Sequence, residues 1–110
     1  GLEFRKISND EYEFKTEIQD YHINAGGVTH GGFIMSMLDS GMGTAAHQVI
    51  EGKAVTISLN TNFIGGSKAG DKIIGFAKIK KKTRSLIFMY GHLKCEDKLL
   101  ASAEGIWKII

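Results

Sequence analysis

The chain has 110 residues, with 14 Lys and Arg against 12 Asp and Glu for a net charge of +2, which excludes a polyelectrolyte role and sets the expectation of one domain over residues 1–110. A hydrophobic share of 43% supports a real core rather than disorder, and a lone cysteine, Cys95, excludes an internal disulfide and a cysteine-rich zinc site. No apolar run reaches the roughly 18 residues that span a bilayer and the first residues lack a signal-peptide layout, so a soluble, cytoplasmic protein in a reducing compartment is expected.

From Glu11 to Ile23, Tyr12, Phe14, Thr16 and Ile18 alternate with charged or polar neighbours, the pattern of a half-buried strand. Asn24-Ala-Gly-Gly-Val-Thr reads as a loop running into His30-Gly31-Gly32. Apolar residues from Phe33 to Ile50 then surround nearly the whole circumference of a helix, which predicts burial on most sides, with Gly52 as its left-handed stop. Ala54–Phe63 alternates with period two, Gly65–Asp71 is a glycine-rich connection, and Lys72–Lys80, Ser85–Lys94 and Leu99–Ile110 read as three more strands. Glu96-Asp97-Lys98 is a charged turn of hairpin length. One strand, one long helix and four strands in meander order predict an α+β fold, an antiparallel sheet wrapped around a central helix.

Asp39 is the only formally charged residue between Tyr21 and Ile50. Burying a carboxylate is costly, and proteins accept that cost mostly at functional sites. The alternative is that Asp39-Ser40-Gly41 forms a turn or a second helix N-cap, where the acid satisfies backbone N–H groups. His30 and Asn24 are further candidates. Nine residues of helix between His30 and Asp39 amount to about 13.5 Å of rise and about 900° of rotation, which places the two on opposite faces. Either they are unrelated and His30 supports its loop, or a second copy of the chain completes the site. Gly31 and Gly32 open the helix, where N–H groups lack intrahelical partners and a ligand oxygen can approach closely, as in an oxyanion hole. They also permit a sharp loop-to-helix turn.

The run from Asn24 through His30-Gly31-Gly32 to Asp39 resembles the N-x5-H-G-G-x6-D pattern of hotdog-fold acyl-CoA thioesterases of the phenylacetic-acid-degradation type. Ala54–Phe63 and Gly70-Asp71 resemble the strand and turn that follow in that family. The resemblance implies hydrolysis of acyl-CoA to acid and free coenzyme A by a cytoplasmic homodimer or homotetramer, with active sites at the subunit interface. Asp39 would be general base or nucleophile, Gly31 N–H would polarise the thioester carbonyl, and Asn24 and His30 would act from across the interface. Thr56 would position the water, or be an ordinary strand residue. Gly32 and the turn Lys82-Thr83-Arg84-Ser85 would meet coenzyme A, although a lysine-rich hairpin end also serves simply to blunt a sheet edge. Two departures are visible: Ile64-Gly65-Gly66-Ser67 lacks the proline common in the family, and the segment before the first strand is short.

No cofactor beyond the substrate's own coenzyme A is expected, and no metal, since His22, His47 and His92 show no ligand spacing with acids or with Cys95. Nucleic acid and membrane are not expected partners. A hotdog hydratase acting on enoyl or hydroxyacyl thioesters, or a non-catalytic acyl-CoA-binding domain, are the competing functions. Fourteen glycines and no proline point to backbone approaching substrate or a neighbouring subunit. Gly41 and Gly43 stand out, because each costs a helix interior roughly 1 kcal/mol relative to alanine.

Overall fold

The computed structural model describes residues 3–17 and 31–110. Strands β1 (Glu3–Lys6) and β2 (Glu11–Glu17) precede the helix α1 (Gly31–His47), and β3 (Ala54–Phe63), β4 (Lys72–Lys82), β5 (Leu86–Cys95) and β6 (Lys98–Ile109) follow it. All six strands join one antiparallel sheet in the order β1-β2-β4-β5-β6-β3. This is the α+β arrangement of a sheet wrapped on one helix. Among the described residues, no helix is long and apolar enough to cross a membrane.

Period-two alternation puts one face of strands β2 to β6 against α1. Ile73, Gly75, Ala77 and Ile79 of β4 are buried, as are Ile87, Met89, Gly91 and Leu93 of β5. Ala101, Ala103, Gly105 and Trp107 of β6 continue that face. The helix answers with Ile34, Met37, Leu38, Gly41, Met42, Ala45 and Ala46, spacings of three and four that draw a single stripe. The ring of Phe14 is wedged between the two layers: a Cβ on Gly41 of the helix or on Gly75 of β4 would overlap it. The cost of Gly41 inside a helix is therefore the condition for this close helix-to-sheet approach.

Four expectations change. Helix α1 is not buried on most sides: Gly31, Gly32, Met35, Ser36, Ser40, Thr44 and His47 are exposed, because one sheet covers one stripe. It also ends at His47 rather than Ile50, closing with three-residue turns from Gln48 N–H to Ala45 O and Val49 N–H to Ala46 O. Gly52 does take the left-handed conformation (φ 93°), but in the bend beyond that end. The last four strands are not one meander. Strands β4, β5 and β6 are, whereas β3 pairs with β6 at the far edge, so the glycine-rich connection after β3 crosses over rather than folding back. Finally, β1 adds a sixth strand, whose Phe4 stacks on Tyr12 with ring centroids 5.4 Å apart.

Candidate active site

Asp39 lies in the third turn of an unbroken helix, which removes the alternative of a turn or a second N-cap. It is half-buried rather than sealed. The nearest strand is β3, whose Thr56 pairs with Trp107 of β6 and therefore faces the helix. One residue further on, the register slips between Thr56 and Ser58, making Ile57 the extra residue of a bulge. Bulges commonly re-aim side chains beside functional sites. Here Thr56 Oγ1 donates a hydrogen bond of 2.8 Å to Asp39 Oδ1.

The pair opens onto a groove of about 420 Å³ between α1 and the start of β3, whose lining includes Ser40, Gly43, Thr44, His47 and Trp107. Asp39, Gly43 and His47 are four residues apart along one stripe of the helix. His47 ties helix to strand: its Nδ1 lies 2.8 Å from Gly43 O, and its Nε2 accepts from Ala54 N–H at 3.2 Å. These bonds require neutral imidazole with the proton on Nδ1. Two residues before Thr56, the strand is thus fixed to the same helix face that carries Asp39. Sequence reasoning set His47 aside because it has no acidic or cysteine partner; its partners are backbone groups, which leave no spacing signal.

Gly31 is the first residue of α1, so its N–H lacks an intrahelical acceptor. The ring of Phe63, at the end of β3, stands beside it, 3.5 Å from where a Cβ would be, while nothing lies within 4 Å of a Cβ on Gly32. Gly31 and Asp39 of one chain are eight helical residues apart, about 12 Å along the axis. The structure brings Asp39 and Thr56 together and does not bring Gly31 to them. Asn24 and His30 lie outside the described residues.

The turn Thr83-Arg84-Ser85 joins β4 to β5. Lys82 Nζ donates to Val49 O at 2.9 Å beyond the helix end. Thr83 Oγ1 accepts from Leu86 N–H at 3.0 Å and Ser85 N–H at 3.4 Å, which closes the turn. Arg84 is exposed. Ile109 N–H donates to Ser85 O at 2.9 Å, and Ile109 pairs with Ala54, so this turn stands at the groove's end of the sheet with β6 between it and β3.

A protein of Pseudomonas aeruginosa named "Putative esterase PA0474" is 30% identical over 94 residues, covering 84% of this chain and 70% of that protein. A phenylacetic acid degradation-related protein of Ralstonia eutropha JMP134 superposes with a TM-score of 0.93 at 23% identity, covering 98% of this chain and 84% of that one. The crystal structure described as "Hypothetical Thioesterase Protein with Coenzyme A", from Streptococcus pneumoniae TIGR4, superposes with a TM-score of 0.90 at 16% identity, covering 100% and 86%. Both likenesses establish the hotdog arrangement of helix and sheet. The model of the Thioesterase superfamily matches residues 26–102, and the chain belongs to that family.

Proposed function

We propose that this chain is an acyl-CoA thioesterase, hydrolysing R–CO–S–CoA and water to R–COOH and HS–CoA, with Asp39 as the acid at its centre. Membership in the Thioesterase superfamily supports a thioester hydrolase, and the observation that carries the finer reading is the hydrogen bond from Thr56 Oγ1 to Asp39 Oδ1 in an open groove. That bond fixes the carboxylate through one oxygen and leaves Oδ2 without a partner among the described residues. Oδ2 is then the atom that takes a proton from an attacking water, or that attacks the carbonyl carbon itself. The tetrahedral oxygen that forms needs donors about 3 Å away, and an unpaired N–H at a helix N-terminus is one. Gly31 of the same chain stands about 12 Å along the helix from Asp39, too far to serve the same carbonyl.

Two copies of the chain remove that difficulty, with Gly31, and with it His30 and Asn24, coming from the neighbour. Strand β3 supports such an assembly. It is a sheet edge ten residues long without one charged side chain, and Val55 and Ile57 are exposed on it. Sheet edges that face water are usually short or charged, as β1 is at the opposite side. Arg84, with Lys82 at the start of the same turn, supplies cations for the phosphates of coenzyme A, and the reaction is expected to need no further cofactor. Release of free thiol from a panel of acyl-CoA esters is the test, with Asp39→Asn as control. Release by the parent protein and a loss of at least a hundredfold in the variant is the expected result. No release from any ester, or equal release by the variant, would remove the reading.

A further inference from the structure

The positive charge of the chain is unevenly placed. Its net value is only +2, yet Lys53, Lys81, Lys82, Arg84 and Lys108 gather at one end of the sheet, all exposed. The register sets them there. Lys81 and Lys82 end β4 opposite Phe88 and Ile87, Arg84 lies in the turn that follows, and Lys108 pairs with both Leu86 and Val55. Lys53 precedes β3, and its carbonyl accepts from Ile110 N–H at 2.9 Å. None of the five has a carboxylate partner among the described residues. The nearby acids are Glu104, paired with Lys80 at 3.2 Å, and the exposed Asp10 and Glu51, too few to balance them.

Coenzyme A can use only part of this rim. Lys82 is opposite the buried Ile87, so it faces the helix side, where its Nζ meets Val49 O at 2.9 Å. With Arg84 it stands at the mouth of the groove. Lys81 and Lys108 face the other way, beside Phe88 and Leu86, on the side of the sheet that α1 does not cover. Lys53 is on the far flank, since β5 and β6 separate β3 from β4, about 14 Å in all. Phosphates at the end of an arm lying in the groove meet Lys82 and Arg84. The cations on the opposite face and the far flank match an anionic surface broad enough to reach round the rim.

We infer that this rim docks an acidic carrier protein that presents the acyl group on a phosphopantetheine arm, a second class of thioester substrate. The inference rests on the thioester hydrolase reading given above. The arm runs along the groove past Gly43 and Trp107 to Asp39, which is about 12 Å along α1 from His47 at the groove's other end. The reaction keeps its balance: the acyl–sulfur bond breaks, water gives its hydroxyl to the acyl carbon and its proton to sulfur, and the carrier leaves with a free pantetheine thiol. Complementary charge speeds such an encounter and is screened by salt. Continuity with the groove favours this occupant over nucleic acid. Among the described residues the exposed aromatic side chain is Phe63, at the opposite end of β3, so the rim offers bases no ring to stack on.

The acyl group released fastest from the coenzyme A panel, loaded onto an acidic acyl carrier protein, tests it. The parent protein is expected to hydrolyse the carrier ester, with kcat/KM falling roughly 5-fold between about 0.05 and 0.3 M NaCl. A Lys81→Glu, Lys108→Glu chain is expected to lose roughly 10-fold of that rate through KM and to keep acyl-CoA hydrolysis within about 2-fold, which also shows that it folds. Lys81→Gln with Lys108→Gln is expected to lose less, in the same direction. No hydrolysis of the carrier ester, a carrier rate that both variants leave unchanged, or an equal loss on both esters each overturns the inference and leaves acyl-CoA hydrolysis standing. A charge-reversed chain that loses binding to a single-stranded RNA oligomer or to phosphatidylglycerol vesicles, but keeps the carrier rate, gives the rim to that partner and also overturns it. Release from neither ester, nor from any other in the panel, overturns both readings.

Discussion

Thr56 Oγ1 donates to Asp39 Oδ1 at 2.8 Å, joining the middle of the helix to the edge strand just before its bulge. The carboxylate is only half-buried, so this bond, rather than tight packing, holds its orientation. A hydrogen bond to a charged group is worth about 1.5–3 kcal/mol. Thr56→Ala is therefore expected to lower kcat roughly 10- to 100-fold with little change in KM, and Thr56→Ser, which keeps the hydroxyl, to restore most of the rate. Thiol-release kinetics on the three proteins give the answer. A Thr56→Ala enzyme as fast as the parent would show that the bond does not hold a working group.

Gly41 and Phe14 give a prediction about stability alone. Phe14 is fully buried, and its ring fills the space of a Cβ at Gly41. Alanine at 41 gains up to about 1 kcal/mol of helix propensity, but overpacking a filled core costs about 1–3 kcal/mol, and the overlap here involves a stiff ring. Gly41→Ala is expected to lower the urea midpoint, and Phe14→Leu in the same chain to recover part of the loss. The two changes would then be less than additive, as contacting residues are. Equal or higher stability of Gly41→Ala would mean that helix and sheet separate at no cost.

Much of this arrangement is legible before any coordinates. The alternation of Ile73, Ala77 and Ile79 with lysines marks a one-sided strand, and Asp39 is conspicuous as a lone charge in an apolar run. What periodicity omits is which strand lies beside which: Ala54–Phe63 has the same alternation whether its neighbour is β4 or β6, so the crossover of β3 has no local signal. Strand β1 carries one apolar residue, Phe4, too few to define a period. Gly41 and Gly43 look alike in the sequence, and only Phe14 and Trp107, brought in from other strands, separate them. Nor does composition reveal how much of α1 is left uncovered, because that depends on how far one sheet reaches around it.

The uncharged edge of β3 makes assembly testable. Ile57 is 53% exposed at the bulge, and Val55, at 44%, lies two residues before it. The parent protein is expected to sediment as a dimer or larger. Charges on an edge strand oppose pairing with another strand, so a Val55→Lys, Ile57→Lys chain is expected to shift towards monomer, keep its circular dichroism spectrum and lose thiol release. A shared site further predicts that Asp39→Asn and Asn24→Ala chains, each inactive alone, regain activity when mixed. Confirmed mixed dimers that stay inactive would place a complete site within one chain.

His92 sets the acid side of stability. It stacks on Phe76 with ring centroids 5.1 Å apart and meets Tyr90 edge-on at 5.7 Å. Burial, and secondly the charge of Lys94, hold its imidazolium below the ordinary histidine range. The unfolded chain, with His92 near its usual value of about 6.5, therefore binds this proton more readily than the folded one. Stability rises with pH wherever the unfolded state holds more protons, so the contribution of neutral His92 is complete above about pH 6.5. It declines as pH falls from there and levels off once pH is below the depressed folded value. His92→Phe retains an aromatic ring for the stack and cannot titrate. Comparing the two proteins cancels the groups they share, so the stability of His92→Phe relative to the parent is expected to grow between pH 7 and pH 5. Urea unfolding at half-unit steps across that interval measures it, and a difference that stays flat would mean that His92 gains a proton as easily folded as unfolded.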